Sequence, residues 1–251
     1  MYVIHEMEDA VADCSAGCNA GSCNDDAGVT AWDEAVAFYT GSLEGVDGSG
    51  DGVLIYDLAD KRAPNFKTGG DLADSISGTS HANMEVFKNF GQGKDNIAAG
   101  NCAGAMENKK KIEALMTIPL VQGALRYAWK GEYEDYSEAA SAELATFAMA
   151  VLPVVSTCDE DAANKIFKEA KVGNRNPDHA VIKSAFESVY DCMGIRCKDV
   201  GGLWNDPAKE YYENAEPCDY VAAGDEKTDS AGFQATSAWS VAAAVAVYGL
   251  M

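Results

Sequence analysis

KKKIEALMTIPLVQGALRYAWK, residues 109–130, decides the fold class of this chain. It reads as one long helix with Ile112, Leu115, Met116, Val121 and Leu125 turned inward. Pro119 should kink or divide it. Upstream, TAWDEAVAFYTGSLEG (30–45) sets Trp32, Val36, Tyr39 and Leu43 at helical spacing, with Thr30 as N-cap and Gly45 as the stop. Residues 53–62 read as a second helix ended by Pro64. Residues 81–90 read as a short third, with Val86, Phe87 and Phe90 on one side.

Downstream the same spacing recurs. Residues 137–155 carry Leu144, Phe147, Val151 and Val155. Residues 160–170 carry Ile166, Phe167 and Ala170, and residues 179–193 carry Ile182, Ala185, Phe186 and Val189. No stretch alternates every second residue with β-branched enrichment, so the expected fold is an all-α helical bundle. Residues 84–106 and 182–204 share a Phe, a Cys and a Gly-rich close at similar offsets, which suggests two related bundles from an internal duplication. The expected organisation is a Cys-rich N-terminal segment (1–28), a first helical half (29–131), a second half (132–220) and a tail (221–251).

The chain has 251 residues, 40 acidic against 19 basic, and a net charge of −21. That balance excludes a nucleic-acid binder that works by neutralising phosphates, and argues against anionic lipid headgroups. With 47% apolar residues the chain can build a real core. The acidity would draw cations toward a site or keep the chain soluble in high salt; both readings stand.

Eight cysteines, Cys14, Cys18, Cys23, Cys102, Cys158, Cys192, Cys197 and Cys218, suit a disulfide-bonded chain from an oxidising compartment. Their spacings are not those of a structural zinc site. The first residues, MYVIHEMEDA, do not form a secretory signal, so the chain begins after such a segment or is incomplete. Residues 238–251 are apolar but shorter than a membrane helix needs, and read as a packed terminal helix or a truncated anchor.

The candidate ligands are few. His81 and Glu85 stand at i and i+4, on one helix face, a pair suited to a hard cation. Tyr56 and Asp57 on the second helix and Tyr127 on the long one offer hard oxygen donors that favour a trivalent ion such as Fe(III). Arg126 could hold a small oxyanion by forked hydrogen bonds, while Gln122 one turn before it suits a structural face. Asp33 and Glu44 share a side of the first helix about 16 Å apart and cannot meet on one ion. Glu44 is kept as a reserve ligand. His5 falls in an expected tail, and His179 reads as capping context beside Asp178.

DGSGDG (47–52) begins like a calcium loop with Asp47, Ser49, Asp51 and Gly52, but Leu58 stands where the bidentate Glu belongs, so an ordinary turn is preferred. No GxSxG, HExxH or GxxxxGK[ST] is present, and GQGK at 91–94 has Lys88 in place of the first P-loop glycine.

Four strings carry a resemblance: AWDEAVAFYTGSLEG (31–45), LADKRAPNFKT (58–68), residues 109–130, and AFESVYDCMGIRCKDVGGLW (185–204). They are similar to the low-iron-inducible periplasmic proteins of algae, the family of iron-assimilating proteins and phytotransferrins, over about residues 29–204. The resemblance implies a secreted, periplasmic or cell-surface protein that binds ferric iron, with carbonate as synergistic anion and a cell-surface receptor or membrane anchor as partner. Relatives carry cysteines flanking NFKT where this chain has Ala63 and Gly69, so one family disulfide is expected to be missing. A weaker likeness links the chain to imelysin-type helical proteins, although GTSHANME has H-x3-E where their signature is GxHxxE.

The expectation is therefore a non-enzymatic ferric-iron-binding protein for iron assimilation. Its candidate ligands are Tyr56, His81, Glu85 and Tyr127, with Glu44 in reserve and Arg126 as anion anchor. The alternatives are a helical metallohydrolase or peptidase, which needs an open metal position and a general base, and an acidic surface protein without a specific metal.

Overall fold

In a computed structural model the described residues are 2–17, 27–41, 54–74, 78–135 and 137–220. Residues 1–220 form one compact unit; residues 221–251, the second unit, lie outside the described residues. The elements run α1 (Tyr2–Gly17), α2 (Ala27–Thr40), α3 (Ile55–Phe66), β1 (Gly69–Asp74), β2 (Gly78–Ser80), α4 (His81–Ala98), α5 (Cys102–Tyr133), α6 (Glu138–Cys158), α7 (Glu160–Ala170), α8 (His179–Glu187), α9 (Tyr190–Met193), α10 (Cys197–Val200), β3 (Trp204–Asn205) and β4 (Glu210–Tyr211). The fold is all-α; β1–β2 and β3–β4 are two small antiparallel hairpins.

Local chemistry explains the boundaries. Asn101, Ser137, Asp159 and Asp178 cap α5, α6, α7 and α8 by accepting a backbone N–H in the first turn. α7 adds Glu160 and Asp161 at its start and Lys168 at its end, the order the helix dipole favours. α2 stops at Thr40 because Gly41 takes a left-handed φ of 73°. That is earlier than the expected stop at Gly45.

α5 joins two hydrophobic cores. Ala105, Ile112 and Met116 pack into a core built with α1–α4, around Met7, Trp32, Tyr39, Tyr56, Val86, Phe90 and Ile97. Ile118, Val121, Ala124, Leu125, Ala128 and Trp129 pack into a second, built with α6–α10 around Val151, Ile166, Ile182, Phe186 and Ile195. At about 100° per residue these two sets lie on opposite sides of the helix axis. The apolar stripe thus changes sides beside Pro119.

Several expectations need correction. α5 runs through Pro119 undivided, because the single hydrogen bond a proline removes is outweighed by burial in both cores. α3 likewise continues past Pro64 to Phe66, and α4 extends to Ala98. Residues 2–17 are a helix packed on α2, not a separate tail, and Cys14 is bonded to Cys102. The halves do not part at residue 131, which lies inside α5; the cores meet between Met116 and Ile118. Residues 84–106 form most of α4 and the start of α5, whereas residues 182–204 are three short helical pieces and the start of β3. The suggested duplication gains nothing from that comparison.

Cys14–Cys102, Cys158–Cys192 and Cys197–Cys218 are disulfides, so every described cysteine is paired. Cys18 and Cys23 lie outside the described residues. Three such bridges fit an oxidising compartment.

Candidate functional site

α4 starts where it does because Ser80 caps it: its Oγ accepts the Asn83 N–H at 3.0 Å. The Ser80 N–H donates to Asp60 Oδ1 at 2.8 Å, and the His81 N–H to the Thr68 carbonyl at 3.0 Å. These bonds hold the α4 N-terminus against α3. From there His81 projects to α10, a part of the chain far away in sequence, and its Nε2 lies 3.9 Å from Asp199 Oδ1.

Asp199 is 4% exposed and closes α10 on itself. Its Oδ2 accepts the Arg196 backbone N–H at 3.0 Å and Nε at 2.8 Å; its Oδ1 accepts Nη2 at 2.8 Å. This fork raises the Arg196 pKa above the ordinary guanidinium value, with Glu85 adding a smaller attraction. Glu85, one turn beyond His81, pairs with Lys88 Nζ at 3.1 Å. His81, Glu85, Arg196 and Asp199 therefore share one corner. The His81 side chain there is 39% exposed, so an ion can reach it from solvent.

Tyr56 does not join that corner. It is 1% exposed, and its ring packs edge-on against Tyr39 and Phe87 in the first core. Tyr39, which sequence reasoning did not single out as polar, donates its hydroxyl to Asn83 Oδ1 at 2.5 Å. Asn83 Nδ2 donates to the Tyr56 carbonyl at 2.9 Å and to Asp60 Oδ1 at 2.8 Å. Burial, then Asp60 and Tyr56, push the Tyr39 phenol well above its ordinary pKa. A phenol held protonated in this way pins α2, α3 and α4 together. Asp57, also buried, is neutralised by Lys61 at 2.6 Å.

Tyr127 belongs to the other core. Its ring stacks on Phe147 at 5.9 Å, and the Arg126 and Arg62 guanidinium carbons lie 5.2 Å and 5.7 Å from its centre. Arg126 thus stands beside the Tyr127 ring, which Arg62 also faces. Arg62 Nη1 donates to Asn65 Oδ1 at 3.2 Å, while its buried Nε has no hydrogen-bond partner among the described residues. Burial lowers the Arg62 pKa, Tyr127 offsets part of that, and Arg126 adds to it.

The expected four-ligand set is therefore not gathered: Tyr56 is in the first core, Tyr127 packs on the second, and only His81 and Glu85 share a corner. Among the described residues no group of three or more His, Cys, Asp or Glu could hold a metal ion. Glu44 and the 47–52 loop lie outside the described residues. The missed participants are Asp199 and Arg196; the R-x-x-D spacing after Gly194-Ile195 was the only signal for them.

The remaining candidates have structural roles. Gln122 Nε2 donates to the Val200 carbonyl at 2.8 Å and to Thr68 Oγ1 at 3.2 Å, tying α5 to α10 and to the segment after α3. Asp33 pairs with Lys94 at 2.8 Å on the surface. His5 sits in α1 beside Asp9 at 3.5 Å. Asp178 caps α8, and the His179 backbone N–H donates to Glu132 Oε2 at 2.6 Å. Comparison of the chain with known proteins gives no match: no family model, no curated protein and no solved structure is similar to it.

Proposed function

We propose that this chain binds ferric iron in an oxidising, extracellular setting as a step in iron assimilation, as the algal low-iron-inducible proteins it resembles would. The reading starts from the pair His81 and Asp199 at the junction of α4 and α10, with Glu85 one turn along α4 as the nearest further carboxylate on that helix face. The observation that carries the reading is the approach of His81 Nε2 to a nearly buried carboxylate from the far end of the chain, 3.9 Å away. One imidazole and two carboxylates are hard-to-borderline donors that suit a small trivalent ion. Three disulfides support the extracellular setting.

Arg196 replaces Arg126 as the anion partner. Its guanidinium occupies the Asp199 carboxylate. A small planar anion such as carbonate would take over that fork and free Asp199 to turn toward the ion. Acid would protonate the carbonate, which releases the ion.

Ferric nitrilotriacetate, added with and without bicarbonate, tests this by the iron retained after competition with the chelator. One ion per chain, held more tightly with bicarbonate, is the expected result. His81→Ala should lower affinity at least about tenfold, or about 1.4 kcal/mol. Arg196→Gln should remove the bicarbonate effect while leaving residual binding. Many weak interchangeable sites, indifferent to both variants, would leave the acidic-surface reading in place.

A further inference from the structure

We propose that a second site, independent of the iron reading, binds an acidic saccharide in the groove between the end of α3, the C-terminal half of α5 and the β3–β4 hairpin. Two adjoining hollows form this groove. The smaller, about 80 Å³, is bordered by Arg126, Lys130 and Asn65. The wider, about 530 Å³, is bordered by Lys67 and Pro64. Trp204, Tyr212 and Asn65 line both, so the two are continuous. The wider hollow alone falls in the roughly 300–1,000 Å³ range of small-ligand sites.

Three features point to this ligand class. First, the lining is cationic on a chain that carries −21 overall. Lys130 is paired with Glu134 at 3.1 Å and Asp206 with Lys209 at 2.6 Å, which leaves Arg126 and Lys67 as the lining cations that no bordering carboxylate neutralises. Behind them Arg62 holds the Asn65 side-chain oxygen, which leaves the Asn65 amide nitrogen as a donor. A carboxylate or sulfate suits the forked Arg126 group and the small hollow.

Second, the wide hollow has a partly exposed aromatic wall. Trp204 meets Tyr211 edge-on at 5.1 Å, and Lys67 Nζ stands 4.0 Å from the centre of the Trp204 ring. Lys67 covers one face of that ring, so a sugar's C–H face would stack on the other face while the ammonium takes the acidic substituent's charge.

Third, backbone strain collects on the same segments. Lys67, Lys209 and Asn214 are the only non-glycine residues with positive φ among those described, at 54°, 57° and 58°. Lys67 follows α3, and the other two flank β4. Glycine would satisfy such a backbone at lower cost. A lysine held there places its ammonium at Trp204, and strained residues of this kind collect at ligand clamps.

The test uses the full chain, intrinsic tryptophan fluorescence and calorimetry, with a galacturonate tetrasaccharide and a sulfated tetrasaccharide as probes. A neutral galactose tetrasaccharide, inorganic sulfate and adenosine monophosphate are the comparisons. We expect at least one acidic saccharide to bind, the neutral one not to, and affinity to fall at least about tenfold between about 0.02 M and 0.5 M salt. Trp204→Ala and Arg126→Ala should each weaken binding about tenfold or more, with Trp204→Phe recovering part of the loss.

Lys67→Gly separates binding from folding. It relieves the backbone and should leave the melting temperature unchanged or raised, yet weaken binding. His81→Ala should leave saccharide binding intact, so failure of the iron reading and failure of this one are distinguishable. Equal binding of neutral and acidic sugars would overturn the proposal. So would sulfate alone matching the oligosaccharide, tighter binding of the nucleotide, or no binding of any probe at millimolar concentration.

Discussion

His179 shows how one side chain couples this fold to pH. It is 2% exposed, its Nδ1 has no hydrogen-bond partner among the described residues, and burial, then Lys183, lower its pKa to about 4, with Asp178 opposing. The unfolded chain takes up a proton near pH 6.5, which the folded chain refuses until about pH 4. Stability from this residue is therefore complete above pH 6.5 and is lost as pH falls toward 4. The full loss is about 3 kcal/mol. Urea unfolding at neutral and acidic pH should show a smaller acid loss for His179→Gln than for the parent chain. Gly93 is the other decisive residue: a Cβ there would stand 2.0 Å from Trp32 Cζ2. Alanine propensity would stabilise α4 by about 1 kcal/mol, but overpacking against a buried indole outweighs it. Gly93→Ala should lower the melting temperature, with a net cost of about 2 kcal/mol or more. Spacing placed His179 on a helix but ended the third helix before Gly93; it could not show that one is a buried base and the other a contact point.

Most of the longer helices were legible because each exposes its period in the sequence; α1 was the exception. Residues 160–170 match α7 at both ends, since Asp159 and the charge order mark them. Longer elements drifted from expectation where burial overrode a local signal, as at Pro119 and Pro64. The β1–β2 hairpin was illegible: Gly69–Asp74 has no alternating apolar pattern, and its pairing rests on backbone bonds. The junction of α2, α3 and α4 rests on Asn83, whose side chain serves Tyr39, Tyr56 and Asp60 at once. Asn83→Leu breaks three buried hydrogen bonds and puts an apolar side chain against Asp60 and the Tyr39 hydroxyl, at about 1–3 kcal/mol for a buried polar group so stripped. Chemical denaturation should show a loss above about 3 kcal/mol. Ser80→Ala, which removes only a cap, should cost about 1 kcal/mol.

Across the whole molecule, the bridges differ in how much chain they close. Cys14–Cys102 spans 88 residues, Cys158–Cys192 spans 34 and Cys197–Cys218 spans 21. Chain entropy ranks their stabilisation at about 4.6, 3.8 and 3.3 kcal/mol. Paired Cys→Ser variants of Cys14/Cys102 should therefore lose more in thermal unfolding than those of Cys197/Cys218. Cys197/Cys218 variants should instead disturb Asp199 and Arg196, because that bridge anchors α10 at its first residue. Weaker iron retention, which the Cys14/Cys102 variants do not show despite their larger fall in melting temperature, is the expected signature.

The sequence by itself determined the all-α class, the rough position of most helices, a set of cysteines suited to disulfides, and His81 with Glu85 on one helical face. Those properties follow from local periodicity and composition, which neighbours in the chain suffice to express. The tertiary structure alone decided that α5 serves two cores from opposite sides, that Tyr56 and Tyr127 part company, and that Asp199 comes to meet His81. These depend on where distant segments pack, and hydrophobic burial leaves no mark in the sequence of which partner each face will find.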